Sequence, residues 1–348
     1  MTRSRDAMRR ISTPPVRVTL SRGRAIESVH TVHAVLINAD GAVVQSWGDP
    51  DFSTVARSTL KPLAALPLIQ SGAADALRLR DEWIALACAS HGGTPMHLEQ
   101  LRQWLSVLGC REEHLFCGPR APLDAGASAA LARTEVQPTR LHNDCSGEHL
   151  GFLSTALALG EPLTGYALAD YPVQHRVTTV VSSLAGMDIS TLEPLPDGCG
   201  APTFAMPLRS LALAAARFVQ AEYGDGGVPS AARRIWTCCM NHRIIFGGPG
   251  RLDGIALSAL DHNERALIKT GAEGVVIAGW AIGSGVPFGL AAKVEDGGGS
   301  ARDAAAAALL LALAGVPSEK REPLENLASQ SLYDSLGCET GRLEVEIP

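Results

Sequence analysis

The sequence predicts one α/β domain: an antiparallel sheet flanked by helices, with an α-helical lobe between its N- and C-terminal strands. β-patterned segments stand at both ends, over 16–49 and 273–295. The middle, roughly 75–240, reads as helices. Of the 348 residues, 46% are hydrophobic and 19% charged, enough apolar chain for a large core and too little charge for disorder. Strands separated by a helical middle are expected to return to one sheet whose faces the helices cover.

Each element has its own signal. Residues 29–38 are rich in β-branched side chains. Asp40-Gly41 follows as a hairpin turn, and 42–47 returns. From Ser58 an apolar helix runs through Leu60, Leu63, Leu66 and Ile69 to Gly72, with Pro62 in its first turn and a kink expected at Pro67. Residues 81–90 read as an apolar helix ending in Ser90-His91-Gly92-Gly93, and 96–108 as an amphipathic one. Further helices are expected at 148–159, 171–184 and 207–223, with 123–140 part helix and part loop. Strands are expected at 274–282 and 288–294, turned around 283–287. The helix 301–313 follows. Phe246 to Arg251 is glycine-rich but lacks the spacing of a phosphate loop, so it reads as a turn.

The totals also exclude partners. Net charge is −6 and no Lys/Arg run occurs, which argues against nucleic acid. The longest apolar run, 304–315, is too short to span a bilayer and reads as a buried helix. Residues 1–15 are basic without an apolar segment, so they read as a disordered tail rather than a secretory signal. A single catalytic domain over 16–348, in the cytoplasm and off the membrane, is the expectation. The eight cysteines (Cys88, Cys110, Cys117, Cys145, Cys199, Cys238, Cys239 and Cys338) read as thiols or ligands, not as a disulfide framework.

The candidate chemistry starts at Arg57-Ser58-Thr59-Leu60-Lys61-Pro62. Serine and lysine at this spacing stand one helical turn apart and face the same way. A serine hydroxyl needs a base to become a nucleophile, and a lysine held neutral by burial or by a second cation is such a base. The bland reading stands beside it: Ser58 as a helix cap and Lys61 as a solvated side chain. Sheet strands at both ends, a helical middle and Ser-x-x-Lys at a helix start form the general plan of the penicillin-binding and serine β-lactamase group.

The chain also resembles the thermolabile, Rhizobium-type L-asparaginase family over about Glu27 to Asp296. The resemblance rests on Glu27-Ser28-Val29-His30, Arg57 to Pro62, Ala89-Ser90-His91, Asn143-Asp144-Cys145-Ser146-Gly147, Asp197-Gly198-Cys199-Gly200 and Lys269-Thr270-Gly271-Ala272-Glu273-Gly274. It implies a β-lactamase-like fold, a homodimer and hydrolysis of the side-chain amide of L-asparagine to aspartate and ammonia. By motif it implies Ser58 as nucleophile with Lys61, Ser90 with Lys269 as a second pair, Asp197 on the substrate's α-amino group, and Cys145 and Cys199 as zinc ligands. No organic cofactor is implied.

The chain departs from that pattern at Glu148, where the family has a lysine as third metal ligand. A carboxylate there is expected to close a zinc site with Cys145, Cys199 and a water. Gly92 and Thr94 stand where the family usually has Ser and Glu. Taken without the resemblance, Ser90 reads as a helix end, Asp197 as a turn residue, and the two cysteines as buried thiols. His142 and His149 read as ligands or polar core residues. Two other functions stay open: a metal-binding or regulatory relative without the activity, and a Ser-Lys hydrolase of β-lactams or esters.

Overall fold

A computed structural model describes residues 13–220, 227–261, 265–281 and 285–348. Residues 1–12 of the expected tail, 221–223 at the end of the expected 207–223 helix with 224–226 after it, residue 282 at the end of the expected strand and 283–284 of the expected turn lie outside the described residues. Thr13, also within the expected tail, bridges to Trp47.

The chain opens with β1 (Val16–Arg22), β2 (Ala25–Asn38) and β3 (Val43–Trp47), paired antiparallel in succession. The β2–β3 turn is the expected one. Gly41 holds φ 91°, and the Asn38 side chain accepts from Ala42 N at 2.9 Å. Short strands follow: β4 (Ser53–Val55), β5 (Leu195–Pro196), β6 (Pro202–Thr203) and β7 (Ala205–Pro207). Then come β8 (Arg265–Thr270), β9 (Val275–Ala281), β10 (Phe288–Val294), β11 (Gln330–Tyr333) and β12 (Glu339–Glu346). The main sheet runs β11-β12-β1-β2-β10-β9-β8, with β3 paired to β2 off that path, and every pairing in it is antiparallel. The antiparallel sheet built from both chain ends is therefore as expected. It is wider than 16–49 and 273–295, because β8 adds one edge and β11–β12 the other.

The helices are α1 (Lys61–Ala64), α2 (Leu66–Gln70), α3 (Ala73–Ala76), α4 (Asp81–Ala87), α5 (Pro95–Val107), α6 (Ala125–Ala132) and α7 (Ser146–Ala158). After them come α8 (Pro172–Ala185), α9 (Leu208–Val219), α10 (Gly227–Asn241), α11 (Arg243–Gly247), α12 (Leu252–Ala259), α13 (Gly299–Leu313) and α14 (Glu322–Ala328). The expected single helix after Ser58 is broken into a 3-10 turn (Arg57–Leu60), α1 and α2. The reason is proline: Pro62 and Pro67 each lie in a first helical turn, so each starts a short helix instead of kinking a long one.

Every residue of β9 is buried, so the centre of the sheet is covered on both faces. α9 packs against β9, β10 and β2, and α13 against β1, β10 and β12. The α9 contact is made through glycine: a Cβ on Gly289 would lie 1.9 Å from Ala212 O, and one on Gly279 2.5 Å from Ala215 O. α13 carries the 304–315 run as a buried helix, and among the described residues no helix is long and apolar enough to cross a membrane.

Candidate active site

The site forms where the Arg57–Leu60 turn, the end of α4, the start of α7, the β5–β6 turn and the end of β8 meet. Close glycine contacts bring them together. A Cβ on Gly147 would lie 2.3 Å from Leu86 O, so the start of α7 can sit directly on α4. One on Gly271 would lie 3.2 Å from Ala56 O and from the Thr59 side chain, which lets the end of β8 approach the serine turn. These are the glycines of the Asn143–Gly147 and Lys269–Gly274 motifs, which gives those motifs a packing reason.

Ser58 sits on a strained turn. Arg57, immediately before it, has φ 52°, a left-handed value rare outside glycine. The turn is held by Arg57 N donating to Thr203 Oγ1 at 3.0 Å and by Thr59 Oγ1 donating to Ala56 O at 2.6 Å. The Arg57 guanidinium forks onto Asp197, Nε to Oδ2 at 2.8 Å and Nη2 to Oδ1 at 3.4 Å. Ser58, Glu148, Phe152, Asp197, Cys199 and Thr203 line one cavity of about 20 Å³, roughly the room of a single water.

Lys61 is 2% exposed, and its ammonium is surrounded by acceptors. Nζ donates to Ala89 O at 2.8 Å, Ser90 Oγ at 3.2 Å, Asp144 O at 3.4 Å and Cys145 Sγ at 3.2 Å. Glu148 Oε2 lies 3.8 Å away. The pairing expected from spacing is thus rearranged: Lys61 bonds Ser90 rather than Ser58. A long lysine stem goes to the richest set of acceptors, and here that set lies across the pocket. The charge state differs from expectation too. Burial works to lower the Lys61 pKa, but Cys145, Glu148, Asp144 and Cys199 together raise it by more, so the ammonium is favoured.

Lys269, the last residue but one of β8, is fully buried. Its Nζ donates to Asp253 Oδ2 at 2.6 Å and to Thr270 O at 2.9 Å, so the expected partner Ser90 is replaced by a carboxylate. Burial pushes this lysine down, Lys61 and Arg251 push the same way, and Asp253 opposes them. Of the two lysines, Lys269 is the one shifted toward the neutral amine.

Cys145, Glu148 and Cys199 offer ligand atoms that all lie within 4.8 Å of one another. Two thiols and a carboxylate suit a tetrahedral zinc with one open position. Cys145 is hydrogen-bonded to Cys199 and buried, which pushes its thiol well up, so a metal would have to displace the proton. Burial pushes Glu148 up to about 7, against the pull of Lys61. The residues present therefore fit the metal, with the Lys61 ammonium sharing two of its donors. His149 is buried and held by Tyr166, with Nδ1 2.9 Å from its hydroxyl. His142 takes Thr139 N on Nδ1 at 3.0 Å. Neither joins the Cys-Glu-Cys group.

The motifs did not point to Arg251, which donates to Ser90 O, or to Asp253 under Lys269. Nor did they point to Arg120, whose Nη1 bonds Asp144 Oδ1 at 3.0 Å. The available signal was weak: an aspartate in the first turn of a short apolar helix after a glycine-rich turn.

None of the curated proteins matches the chain. Among solved structures, a β-lactamase from Sphaerobacter thermophilus DSM 20745 is similar at 16% identity, over 83% of this chain and 93% of that one, with a TM-score of 0.38. That likeness is too distant to transfer any residue. The family model of L-asparaginase II matches residues 18–345. Nearly the whole described chain, including the serine turn, both buried lysines and the Cys-Glu-Cys group, falls inside that match, and the protein belongs to the L-asparaginase II family of asparaginase-type amidohydrolases.

Proposed function

We propose that the protein hydrolyses the side-chain amide of L-asparagine to L-aspartate and ammonia, with Ser58 as nucleophile. The observation that carries the reading is Lys61: a fully buried lysine on the helix after Ser58, bonded to a second serine hydroxyl, in a chain of this family. Ser58 lines the cavity next to the strained Arg57, and the other hydroxyl lining it, that of Thr203, is engaged by Arg57 N.

In this reading Ser58 Oγ attacks the carboxamide carbon. Its proton goes to a lysine amine, the form that burial and neighbouring cations favour at Lys269. The leaving nitrogen takes a proton from the Lys61–Ser90 pair, where the ammonium form is favoured. Ammonia departs and an ester remains on Ser58. Water cleaves the ester as the proton transfers run in reverse. Asp197 would hold the α-ammonium of the substrate and Arg57 its α-carboxylate. The Arg57–Asp197 fork must open to admit a substrate, because the cavity beside it has room for about one water.

Cys145, Glu148 and Cys199 would hold a zinc ion, which when bound supplies positive charge beside the pocket. A homodimer is part of the same proposal, and light scattering on the eluting protein reads it. The test of the activity is ammonia release from L-asparagine and L-glutamine by the purified protein and by Ser58→Ala. Turnover of asparagine, lost in a variant that melts normally, supports the reading. A folded wild type that releases no ammonia, or a Ser58→Ala that keeps most of the activity, overturns it.

A further inference from the structure

The glycine-rich stretch Phe246 to Arg251 does more than turn the chain. A Cβ on Gly247 would lie 2.2 Å from Gly254 N, so α11 and α12 meet backbone to backbone. Gly248 and Gly250 hold φ values of 77° and 71°, which other residues rarely adopt. This packing fixes the start of α12 beside the pocket. There Arg251 Nη1 donates to Ser90 O at 2.5 Å. Asp253, itself 2% exposed, accepts from Lys269 Nζ at 2.6 Å and from Thr270 N at 2.9 Å.

One short segment therefore grips two separate parts of the site. Asp253 holds both Lys269 Nζ and the backbone just after it. Its place in the first turn of α12 adds the favourable end of the helix dipole. The other charged or titratable groups acting on Lys269 are Lys61, Arg251, Glu148 on α7 and Cys239 on α10, and the Phe246 ring lies 5.8 Å from Nζ. Among these Asp253 is the one carboxylate in contact with the ammonium. A buried lysine without such a partner would shed its proton and lose its fixed position.

We propose that Arg251 and Asp253 are positioning residues, Asp253 setting the place and charge of Lys269 and Arg251 fixing the backbone of Ser90. This rests on the amidohydrolase reading only in taking Ser90 and Lys269 as members of the reacting pocket.

The test uses the full-length protein and two readouts. One is carbon NMR titration of the Lys269 Cε signal, identified by its loss in Lys269→Met. The other is the pH profile of kcat. Asp253→Asn keeps an acceptor for Thr270 N and removes the charge. The Lys269 titration should then fall by about 1–3 units, and a limb of the rate profile should fall with it. A drop in kcat with both positions unchanged would mean a merely structural role and overturn the proposal. If Asp253→Asn does not fold, Asp253→Glu and Arg251→Lys decide. Asp253→Glu should keep the titration of Lys269, and both variants should lose roughly tenfold to a hundredfold in kcat with KM nearly unchanged. Unaltered kcat in these two variants, or a loss confined to KM, overturns it. The two readings fail separately. No ammonia from wild type, with the NMR shift present in Asp253→Asn, sinks the activity and leaves the clamp. Ammonia release without the shift sinks the clamp alone.

Discussion

On the helical side of the pocket, Lys61 lies among two backbone carbonyls, a serine hydroxyl and a thiol, with its carboxylate neighbour Glu148 3.8 Å off. On the strand side, Lys269 touches a carboxylate directly, at 2.6 Å. The distances alone suggest that Lys269 is the more firmly charged. The balance runs the other way. Lys61 has Glu148, Asp144 and two cysteines around it and is pushed up. Lys269 is pushed down first by burial and then by two cations, Lys61 and Arg251, and its single carboxylate does not offset them. The charge on a buried lysine is thus set by desolvation together with all the neighbouring charged and polar groups, with the single best contact only one part of the sum. The proposed reaction, which uses one amine and one ammonium, would obtain both from the same residue type in this way.

The sharpest way to break this comparison is through the serines. Ser58→Ala should lower kcat by about 10⁴-fold or more, whereas Ser90→Ala, which removes one partner of Lys61, should lower it by about 10²–10³-fold. Steady-state ammonia release reads both, and equal losses would erase the distinction between nucleophile and relay. Next come the lysines themselves. Lys269→Met leaves Asp253 buried without its partner and should cost about 3–5 kcal/mol in denaturant unfolding. Lys61→Met leaves only hydrogen-bond acceptors and a more distant carboxylate unpaired, and should cost about 1–3 kcal/mol. The reverse order would contradict the account of how each is held.

Metal sharpens the helical side further. Cys145→Ser should weaken zinc binding by more than about tenfold in a chelator competition, while the Lys269 titration stays in place. The smallest expected effect is in acid. His91 and His97 are pushed down by burial, with neighbouring positive charge adding to it. Below the ordinary histidine value of about 6.5 the unfolded chain binds protons that these buried imidazoles refuse, so stability falls as pH falls. The slope should reach about 1.4 kcal/mol per pH unit for each histidine, measured by unfolding at several pH values. A slope between pH 6.5 and pH 5 that does not shrink in His91→Asn and His97→Asn would show that these rings are charged in the folded protein.

Much of this was legible in the chain. The β2–β3 hairpin followed from Asp40-Gly41, and the buried helix α13 from its alanine and leucine run. The serine turn, Ser90, Lys269 and the Cys-Glu-Cys group were all marked by motif. What stayed hidden was decided by contacts distant in sequence. β12 does alternate, with Leu343 and Val345 turned to the core between exposed Arg342, Glu344 and Glu346, but which strand it joins is decided by pairing with β1 at the far end of the chain, and a period-two pattern does not name its partner. Asp253 precedes Lys269 by 16 residues, and no spacing rule links them. The exchange of partners, Lys61 to Ser90 and Lys269 to Asp253, depends on where long flexible stems find acceptors, which periodicity does not record.

The central claim is that Ser58 is the group that attacks. A diazoketone analogue of asparagine alkylates the nucleophile that the amide would meet, and peptide mass mapping then locates the label. The account predicts the label on the peptide carrying Ser58, protected by asparagine and absent in Ser58→Ala. A label on Ser90, or elsewhere with Ser58 unmodified, would contradict it.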